Sequence, residues 1–534
     1  MTTLTGTGKL IRLILRRDRV LMPLWIVFIG LLPVLYASSF SELYPTAAER
    51  ARFALTSGDN AGFVALYGRL SGSSLGELVT WRAGFLPIIV GLIGLLTVIR
   101  HTRTEEEAGR RELIGSTVVG RHAGLAAALA ATFGACLALG ALMALGMMGQ
   151  DLPTGGALAF GVEIAAAGLV FATVGGVAAQ LTSSAASARG IAVGVLGAAF
   201  LFRVVGDLSA EAGGGQAWLA WLSPIAWVQY LRPFGGEPWW VLALAVGFGA
   251  VLAWAAVALS ARRDVGTGLL PPRPGPAEAA PSLRSPLALA WRLHRGLLAA
   301  WMAGFAALGV VFGGVAKDAG NLLTDNQEMQ EAFARIGGQH GIVDAFLAAI
   351  MGLLGLIAAG YAIQAALRLR SEETNLRAEP VLATAAGRLQ WAGSHLVFSI
   401  LGPAAAMATA GLATGLTHGL NSGDVGREVP RVLAGAMVQL PAVWVLAAIA
   451  VALIGLLPRL VAASWGALAV CVLLGLVGAA LQLSQRLMDV SPFTHVPKIP
   501  GGAVAATPLV WLLAVALALA GAGLVGLRRR DIPA

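Results

Sequence analysis

The sequence contains few charged residues. Only 12% of its 534 residues are Asp, Glu, Lys or Arg, and the mean hydropathy is +0.77. A soluble globular chain carries about 25% charged residues. The few charges here stand in short segments between long apolar runs, which is the pattern of a chain that crosses a bilayer repeatedly. The scarcity of charge therefore argues against a soluble globular protein.

Cysteine and the common catalytic motifs are also scarce. The two cysteines, Cys136 and Cys471, both lie in apolar runs, which excludes a disulfide framework or a metal cluster built on them. The one Gly-Lys pair, Gly8-Lys9, lacks the leading glycine and the hydroxyl residue of a phosphate-binding loop. No His-Glu-x-x-His motif is present. We therefore expect no catalytic residue, metal or cofactor in this chain.

What the sequence does have is apolar runs long enough to cross a bilayer. A helical crossing needs about 20 residues. Runs this continuous predict helices, because the strands of a membrane barrel alternate apolar and polar residues. We predict an all-α polytopic membrane protein with about twelve spans. The predicted spans are 20–40, 81–99, 123–149, 157–181, 190–205, 239–260, 297–316, 343–366, 392–417, 431–457, 460–482 and 504–526.

The basic residues give the orientation of these spans. The net charge of +9 could suggest a nucleic-acid partner, but the basic residues stand in loops between apolar runs. If the N-terminus is cytoplasmic, the inside segments hold 25 of the 37 Lys and Arg residues. This distribution follows the positive-inside rule. We predict a multi-pass protein of the bacterial cytoplasmic membrane with both termini cytoplasmic, and no nucleic acid as partner.

An internal repeat divides the chain into halves. Charged residues after the second span recur after the eighth, 267 positions later, and those after the sixth span recur at the C-terminus. Since each half starts inside and crosses six times, the repeats are parallel. The predicted domains are a first six-span half at 1–260, a Pro-rich cytoplasmic linker at 261–290 and a second six-span half at 291–534. The recurring residues are Glu105, Glu106, Arg110 and Glu112 with Glu372, Glu373, Arg377 and Glu379, and Arg262-Arg263-Asp264 with Arg529-Arg530-Asp531.

The loop after the second span carries the more informative copy of this repeat. Glu106 and Arg110 are four residues apart, as are Glu373 and Arg377, which predicts a short helix with ion pairs on its surface. A solvated loop that follows the positive-inside rule is the simpler interpretation. That rule needs basic residues only, however, and not acidic residues repeated at fixed spacing. The repeated acids favour a surface on which another protein docks.

On these features the chain resembles the permeases of ABC type-2 exporters, in particular the fused two-half permeases of actinobacterial antibiotic and multidrug exporters. The resemblance implies that the loop after the second span of each half is a coupling helix docked on an ATP-binding subunit. It also implies that ATP and Mg²⁺ are held by a separate subunit, of which we expect two copies. Pro380 departs from the first copy and is expected to end or kink the second helix. The residues assigned to docking are Glu105, Glu106, Glu107, Arg110, Arg111 and Glu112, and Glu372, Glu373, Arg377 and Glu379.

Each half also begins with an amphipathic segment. Basic and apolar residues interleave over 10–19 and 287–295, as a helix lying on the membrane surface requires. The resemblance implies the same arrangement. A simple basic flank to the first span is the alternative.

Aromatic residues mark a second candidate region. The segment 217–231 is apolar but short, broken by a proline, and rich in aromatic residues that favour the membrane interface. We predict a re-entrant or interfacial segment on the outer side that caps the exit, with a weaker copy near 490–500. The residues assigned to this gate are Trp218, Trp221, Pro224, Trp227, Tyr230 and Pro492.

One acidic residue lies inside a predicted span. Glu163 is in the fourth span, and an intramembrane acid is a functional candidate. Arg203, at the outer end of the fifth span, is a possible partner. A structural ion pair is the alternative to a functional site.

The apolar, nearly uncharged spans fit a lipophilic or amphipathic substrate, and the resemblance implies a permease that exports it by alternating access. A proton-coupled secondary transporter of the major facilitator type is the alternative, with Glu163 as proton carrier. The loop between spans two and three lacks the Gly-x-x-x-Asp-Arg/Lys signature of such transporters.

Overall fold

The described part of the chain folds into α-helices and three short 3₁₀ helices. The computed structural model describes residues 3–58, 60–270, 277–324, 338–477, 484–503 and 505–531. The chain divides into two units, Met1–Gly275 and Pro276–Ala534. The predicted proline run of the linker, Pro271–Pro276, lies outside the described residues.

The described residues of the first unit form fourteen α-helices. The long apolar helices α7, α10, α11, α12 and α14 are the spans, and α2 and α3 together form another, Leu21–Leu43, with a break at Leu31. The helices are α1 Thr7–Arg17, α2 Leu21–Gly30, α3 Leu32–Leu43, α4 Ala47–Ser57, α5 Ala61–Tyr67, α6 Leu75–Arg82, α7 Leu86–His101, α8 Arg103–Glu107, α9 Arg110–Gly115, α10 Ala123–Met148, α11 Thr154–Leu181, α12 Ala185–Glu211, α13 Pro224–Gln229 and α14 Leu242–Ser260.

Helix α11 is the centre of the first unit. It packs against α7, α10, α12 and α14, and 83% of its most apolar stretch is buried. Gly140 of α10 and Gly161 of α11 allow the closest approach. A methyl group added to either glycine would lie 2.3 Å from the carbonyl oxygen of the other. Small residues at such contacts let two membrane helices pack backbone to backbone.

The second unit also consists of long apolar helices, several of which are longer than those of the first unit. Its most extensive packing is between α15 and α18 and between α20 and α23. Its helices are α15 Pro286–Thr324, α16 Gly338–Thr374, α17 Ala378–Leu382, α18 Arg388–Ser422, α19 Val425–Met437, α20 Leu440–Leu456, α21 Ala463–Val477, α22 Gln485–Met488 and α23 Ala506–Arg529.

The structure confirms the prediction of an all-α polytopic protein. In the described ranges, eleven helices are long and apolar enough to cross a membrane. The remaining predicted span, 460–482, corresponds to the shorter helix Ala463–Val477, and positions 478–482 lie outside the described residues.

The amphipathic segments at the start of the two halves differ. In the first unit, α1 is a separate helix that ends at Asp18, whose carboxylate binds Nε2 of His101 at 2.7 Å and Arg100 at 2.9 Å. In the second unit the prediction of a separate surface helix over 287–295 is wrong, because α15 runs on without a break from Pro286. His294 stands 276 positions after Asp18, the offset at which Arg16 and Arg19 recur as Arg292 and Arg295. Instead of ending the helix as Asp18 does, His294 packs against His395 and Phe398 of α18.

Candidate functional site

The loop between α7 and α10 is built around a buried glutamate. Only 1% of the Glu106 side chain is exposed, and three arginines bind it. Arg263 binds both carboxylate oxygens, at 2.8 and 2.9 Å, while Arg103 and Arg111 bind at 2.9 and 3.2 Å. We call Glu106, Arg103, Arg111 and Arg263 the first cluster. Bidentate charge-assisted bonds of this kind fix both distance and orientation.

The first cluster joins the ends of three spans. Arg103 and Glu106 belong to α8, directly after α7. The Arg103 Nε donates to the carbonyl oxygen of Ala179 near the end of α11, at 3.0 Å. Arg263 follows α14, and its Nε donates to Oε1 of Gln180 at 2.8 Å. The cluster therefore connects α8 to the ends of α7, α11 and α14.

The acids on either side of Glu106 have their own partners. Glu105 binds Arg110 at 2.7 and 2.8 Å and Arg17 of α1 at 2.8 Å. The Glu107 carboxylate accepts a hydrogen bond from the backbone N–H of Ala185, at the start of α12. Together the three consecutive glutamates attach the loop to α1, to the start of α12 and to the segment after α14.

The predicted surface ion pairs between Glu106 and Arg110 and between Glu373 and Arg377 are wrong. Each helix is interrupted between the two members of the pair by a residue with left-handed backbone, Gly109 (φ 70°) in the first copy and Leu376 (φ 56°) in the second. Glu106 and Arg110 are therefore not on successive turns of one helix, and neither are Glu373 and Arg377. Arg110 turns back onto Glu105, whose hydrogen bonds raise the pKa of the Arg110 guanidinium.

The second unit repeats the first cluster at the expected offset. Glu373 is buried and binds Arg370 at 2.7 Å and Arg530 at 2.5 Å. These three residues, the second cluster, are each 267 positions after Glu106, Arg103 and Arg263. The third arginine is absent, because Ala378 stands at the position of Arg111.

A second repeated bond supports this correspondence. In the first unit, Arg121 donates to the carbonyl oxygens of Ala261 and Arg263, at 2.8 and 3.1 Å. In the second unit, Arg388 donates to the carbonyl oxygens of Arg528 and Arg530, at 3.4 and 2.9 Å. All three positions are again 267 residues apart. The internal repeat therefore extends to individual hydrogen bonds, which the sequence pattern alone does not reveal.

The predicted docking residues divide into buried and exposed ones. Glu106, Glu372 and Glu373 are buried, and Glu372 binds Arg368 at 2.8 Å. Arg111 is largely covered, and burial lowers the pKa of its guanidinium. The exposed side chains form the tip of each loop. They include Arg110, Glu112, Leu113 and Val118 in the first tip, and Leu376, Arg377 and Glu379 in the second. Glu107 is exposed as well, but its carboxylate is bonded to Ala185.

The predicted pairing of Glu163 with Arg203 is wrong. Both side chains are buried, but the two Arg203 Nη atoms donate to the carbonyl oxygens of Val64 and Ala65, each at 2.8 Å. Those carbonyls stand near the end of α5, where a helix attracts a cation. Asp207, one turn away on α12, is 3.8 Å from Arg203. The sequence did not indicate α5, so these acceptors could not be foreseen.

The aromatic segment before α14 consists of short pieces. Residues Ala217–Leu222 form a 3₁₀ helix, and Ser223 begins α13 by accepting hydrogen bonds from the N–H groups of Ile225 and Ala226. Pro224 is buried, whereas Trp218 and Trp221 are exposed. Trp227 donates to the carbonyl oxygen of Trp221, and Tyr230 donates to Asp207 at 3.2 Å.

The equivalent segment of the second unit is shorter. Ser491 accepts a hydrogen bond from Phe493, and buried Pro492 begins the 3₁₀ helix Pro492–His495. A role for either segment as a gate stays a prediction.

Sequence reasoning did not single out Arg103, Arg370 and Asp207. The first two could have been found, because they are themselves separated by 267 positions and each stands three residues before its glutamate. Asp207 gives no such signal, since the position 267 residues later is Leu474.

The structure thus has two units of long apolar helices, and the loop after the second span of each unit carries the same kind of cluster. These features define a polytopic membrane protein assembled from two related halves. The chain is 45% identical over 529 residues to the multidrug efflux system permease protein Rv1217c of Mycobacterium tuberculosis (strain ATCC 25618 / H37Rv), covering 99% of this chain and 95% of that protein. Residues 283–528 match the family described as multidrug efflux system permease Rv1217c, C-terminal domain. The chain belongs to this family of membrane permeases. Membership indicates a transport protein rather than an enzyme.

Proposed function

We propose that this chain is the permease subunit of an ATP-driven ABC type-2 exporter that moves lipophilic or amphipathic compounds, including drugs, out of the cell by alternating access. A separate subunit, in two copies, binds and hydrolyses ATP with Mg²⁺. The permease lies in the bacterial cytoplasmic membrane with both termini in the cytoplasm. The observation that carries this proposal is the repeated cluster beneath an exposed loop tip in each half.

Because the clusters bind each loop firmly to the spans, movement of a docked ATPase subunit at a loop tip would move the spans. A tip on a mobile loop would yield when pushed, without moving the spans. Here the exposed Glu112 and Leu113 lie on α9, which is joined to α8 through Ala108 and Gly109. Glu106 of α8 is bound to Arg263 beyond α14. Force applied at the tip therefore reaches the spans through short charged bonds. In the second unit, the exposed Glu379 stands in the same relation to Glu373 and Arg530.

Apolar clefts that open at the surface of each unit favour lipophilic cargo. One of about 320 Å³ in the first unit is lined almost entirely by apolar residues of α10, α11 and α14. One of about 710 Å³ in the second unit lies between α20, α21 and α23, with Asp489, His495 and Thr507 among its few polar residues. Ligand sites in proteins are commonly apolar cavities with few polar groups.

The first experiment is native mass spectrometry of the tagged chain, purified in mild detergent from its own membrane. The expected mass is that of the 54.6 kDa chain with two copies of an ATPase subunit. Isolation of the chain alone, together with transport that stops under a protonophore and continues without ATP, would instead favour the proton-coupled secondary transporter. Glu163, which has no ion-pair partner among the described residues, would then be the proton carrier to examine.

The loop tips are tested by charge reversal at exposed positions. The double variant Glu112→Arg with Glu379→Arg should lose ATPase co-purification and transport while keeping its unfolding temperature, since neither residue is buried. Glu42→Arg, an exposed residue on α3, is the matched control and should retain both. Undiminished co-purification of the double variant would refute docking at the tips.

A further inference from the structure

A small cavity in the first unit has an unusual lining. It lies between α11, α12, α13 and the segment 67–84, well away from the first cluster, and has a volume of about 50 Å³. That is room for roughly three water molecules or one compact ionic group. We call it the Glu163 pocket. Its lining includes Glu163, Asp207, Gln229, Tyr230, Tyr67 and Trp81.

Glu163 has no bonding partner of its own. The residue is 4% exposed and lines the pocket, and within the described ranges it makes no hydrogen bond or ion pair. Arg203, its predicted partner, is occupied by carbonyl oxygens and Asp207. A carboxylate in such a place is strongly disfavoured unless it is neutralised by a proton or an opposite charge. Whatever neutralises Glu163 must come from outside its protein neighbours.

The pocket also offers a second unfilled acceptor. The Gln229 amide donates to the carbonyl oxygen of Gly84 at 2.6 Å and to that of Tyr67 at 3.4 Å, which leaves its Oε1 buried without a donor. A water-sized space between unfilled acceptors fits a group that carries several N–H donors. A protonated carboxyl supplies only one donor.

The surrounding charges do not already neutralise Glu163. Arg69 is paired with Glu211 at 2.5 Å, and Asp207 is paired with Arg203 and Tyr230. Arg232 lies exposed at the rim of the pocket. Tyr67, Trp81 and Tyr230 add aromatic rings, whose faces attract organic cations. In the described part of the chain, no group of three His, Cys, Asp or Glu residues could hold a metal ion.

We propose that the Glu163 pocket binds the protonated amine of an organic molecule, and that lipophilic amines are therefore a substrate class of this permease. Glu163 pairs with the ammonium charge, Gln229 accepts one of its N–H groups, and the rest of the molecule lies outside the pocket. The proposed binding of an ammonium group does not depend on the export function. Its use in transport rests on the proposed export function.

Binding is tested on the full chain in lipid nanodiscs with two soluble probes of equal length, n-butylammonium chloride and n-butanol. A ligand of the native state raises the unfolding temperature. We expect n-butylammonium to raise it and n-butanol to have little effect. Because one charge-assisted contact is lost, Glu163→Gln should weaken n-butylammonium binding about tenfold or more. Glu42→Gln, which removes an exposed carboxylate, should leave binding unchanged.

Several outcomes would overturn the assignment. Equal stabilisation by n-butanol would mean an apolar effect, and equal stabilisation by sodium chloride would mean a site for inorganic cations. Unchanged n-butylammonium binding in Glu163→Gln would remove Glu163 from the site, as would the absence of any effect on the wild-type protein. If Glu163→Gln does not fold, Glu163→Asp takes its place. This variant keeps the charge but shortens the side chain by one methylene, so it should also weaken n-butylammonium binding. Unchanged binding in Glu163→Asp would count against the proposal.

Transport is tested separately, with inverted membrane vesicles that contain the permease and its ATPase. Glu163→Gln should lose ATP-dependent uptake of a fluorescent alkylamine but keep uptake of its neutral N-acetyl derivative. Loss of both or of neither would contradict the assignment of substrate class. If wild-type uptake does not require ATP while n-butylammonium binding still depends on Glu163, the proposed ATP-driven function fails and the pocket stands.

Discussion

At the scale of residues, the charged side chains of the two loops have two different tasks. Glu106 and Glu373 are buried and bound by arginines, whereas Glu112 and Glu379 are exposed. A buried ion pair contributes little net stability compared with an apolar pair, but the loss of one partner leaves a charge buried alone. The buried glutamates should therefore tolerate substitution of their arginines poorly.

Replacing Arg263 by alanine is the direct test of this view. Removal of its two bonds to Glu106 should cost about 3 kcal/mol of stability and lower the unfolding temperature of the purified permease. Arg530→Ala should do the same in the second unit. The neighbouring Arg262 and Arg529 are exposed, so their alanine variants serve as matched controls. Equal unfolding temperatures for Arg263→Ala and Arg262→Ala would show that the first cluster is not a stabilising element.

At the scale of elements, α8 and α9 are separated by Ala108 and Gly109. Gly109 has φ 70°, a conformation that costs other residues about 1 kcal/mol or more, although no atom lies within 4 Å of an added methyl group. Gly109→Ala should therefore lower the unfolding temperature through backbone strain alone. Gly115→Ala, also in open space but with helical backbone, should be neutral or slightly stabilising. Thermal unfolding of both variants measures the difference.

The contact between α10 and α11 gives a second test at this scale. An added methyl group at Gly140 would lie 2.3 Å from the carbonyl oxygen of Gly161, so Gly140→Ala must push the two spans apart. We expect a lower unfolding temperature and less folded protein in the membrane. Gly134 lies on the same helix with nothing within 4 Å of an added methyl group, and Gly134→Ala should have little effect. A similar loss in both variants would point to helix propensity or surface effects, and not to close packing.

The sequence predicted the spans well because each is a long apolar run whose meaning does not depend on distant residues. The contacts of the loops were harder to predict. The spacing of Glu106 and Arg110 is the same in a continuous helix as in one broken at Gly109, and only the fold brings Arg263 to Glu106 from 157 positions away. Leu376 is harder still, since a leucine with φ 56° carries no local signal. The environment of Glu163 depends on α5 and α13, which are too short for their apolar pattern to stand out.

At the scale of the whole molecule, the positive-inside pattern makes a prediction about topology. Single cysteines placed at Arg12 or Arg529 should react with a membrane-impermeant maleimide only after the cells are permeabilised. A cysteine at Glu42 should react in intact cells. The native Cys136 and Cys471 are both buried, so their background labelling should be low. Labelling of the two termini from opposite sides would exclude an even number of crossings.

The unequal clusters have a consequence for the order in which the loops loosen. Glu106 is bound by three arginines, but Glu373 is bound by two, because Ala378 replaces the third. Local opening of a segment requires fewer bonds to break where fewer are made. In deuterated buffer, the backbone amides of 371–384 should therefore exchange their hydrogens sooner than those of 104–117. A permease with two halves of common design would then have one loop that opens readily and one that holds.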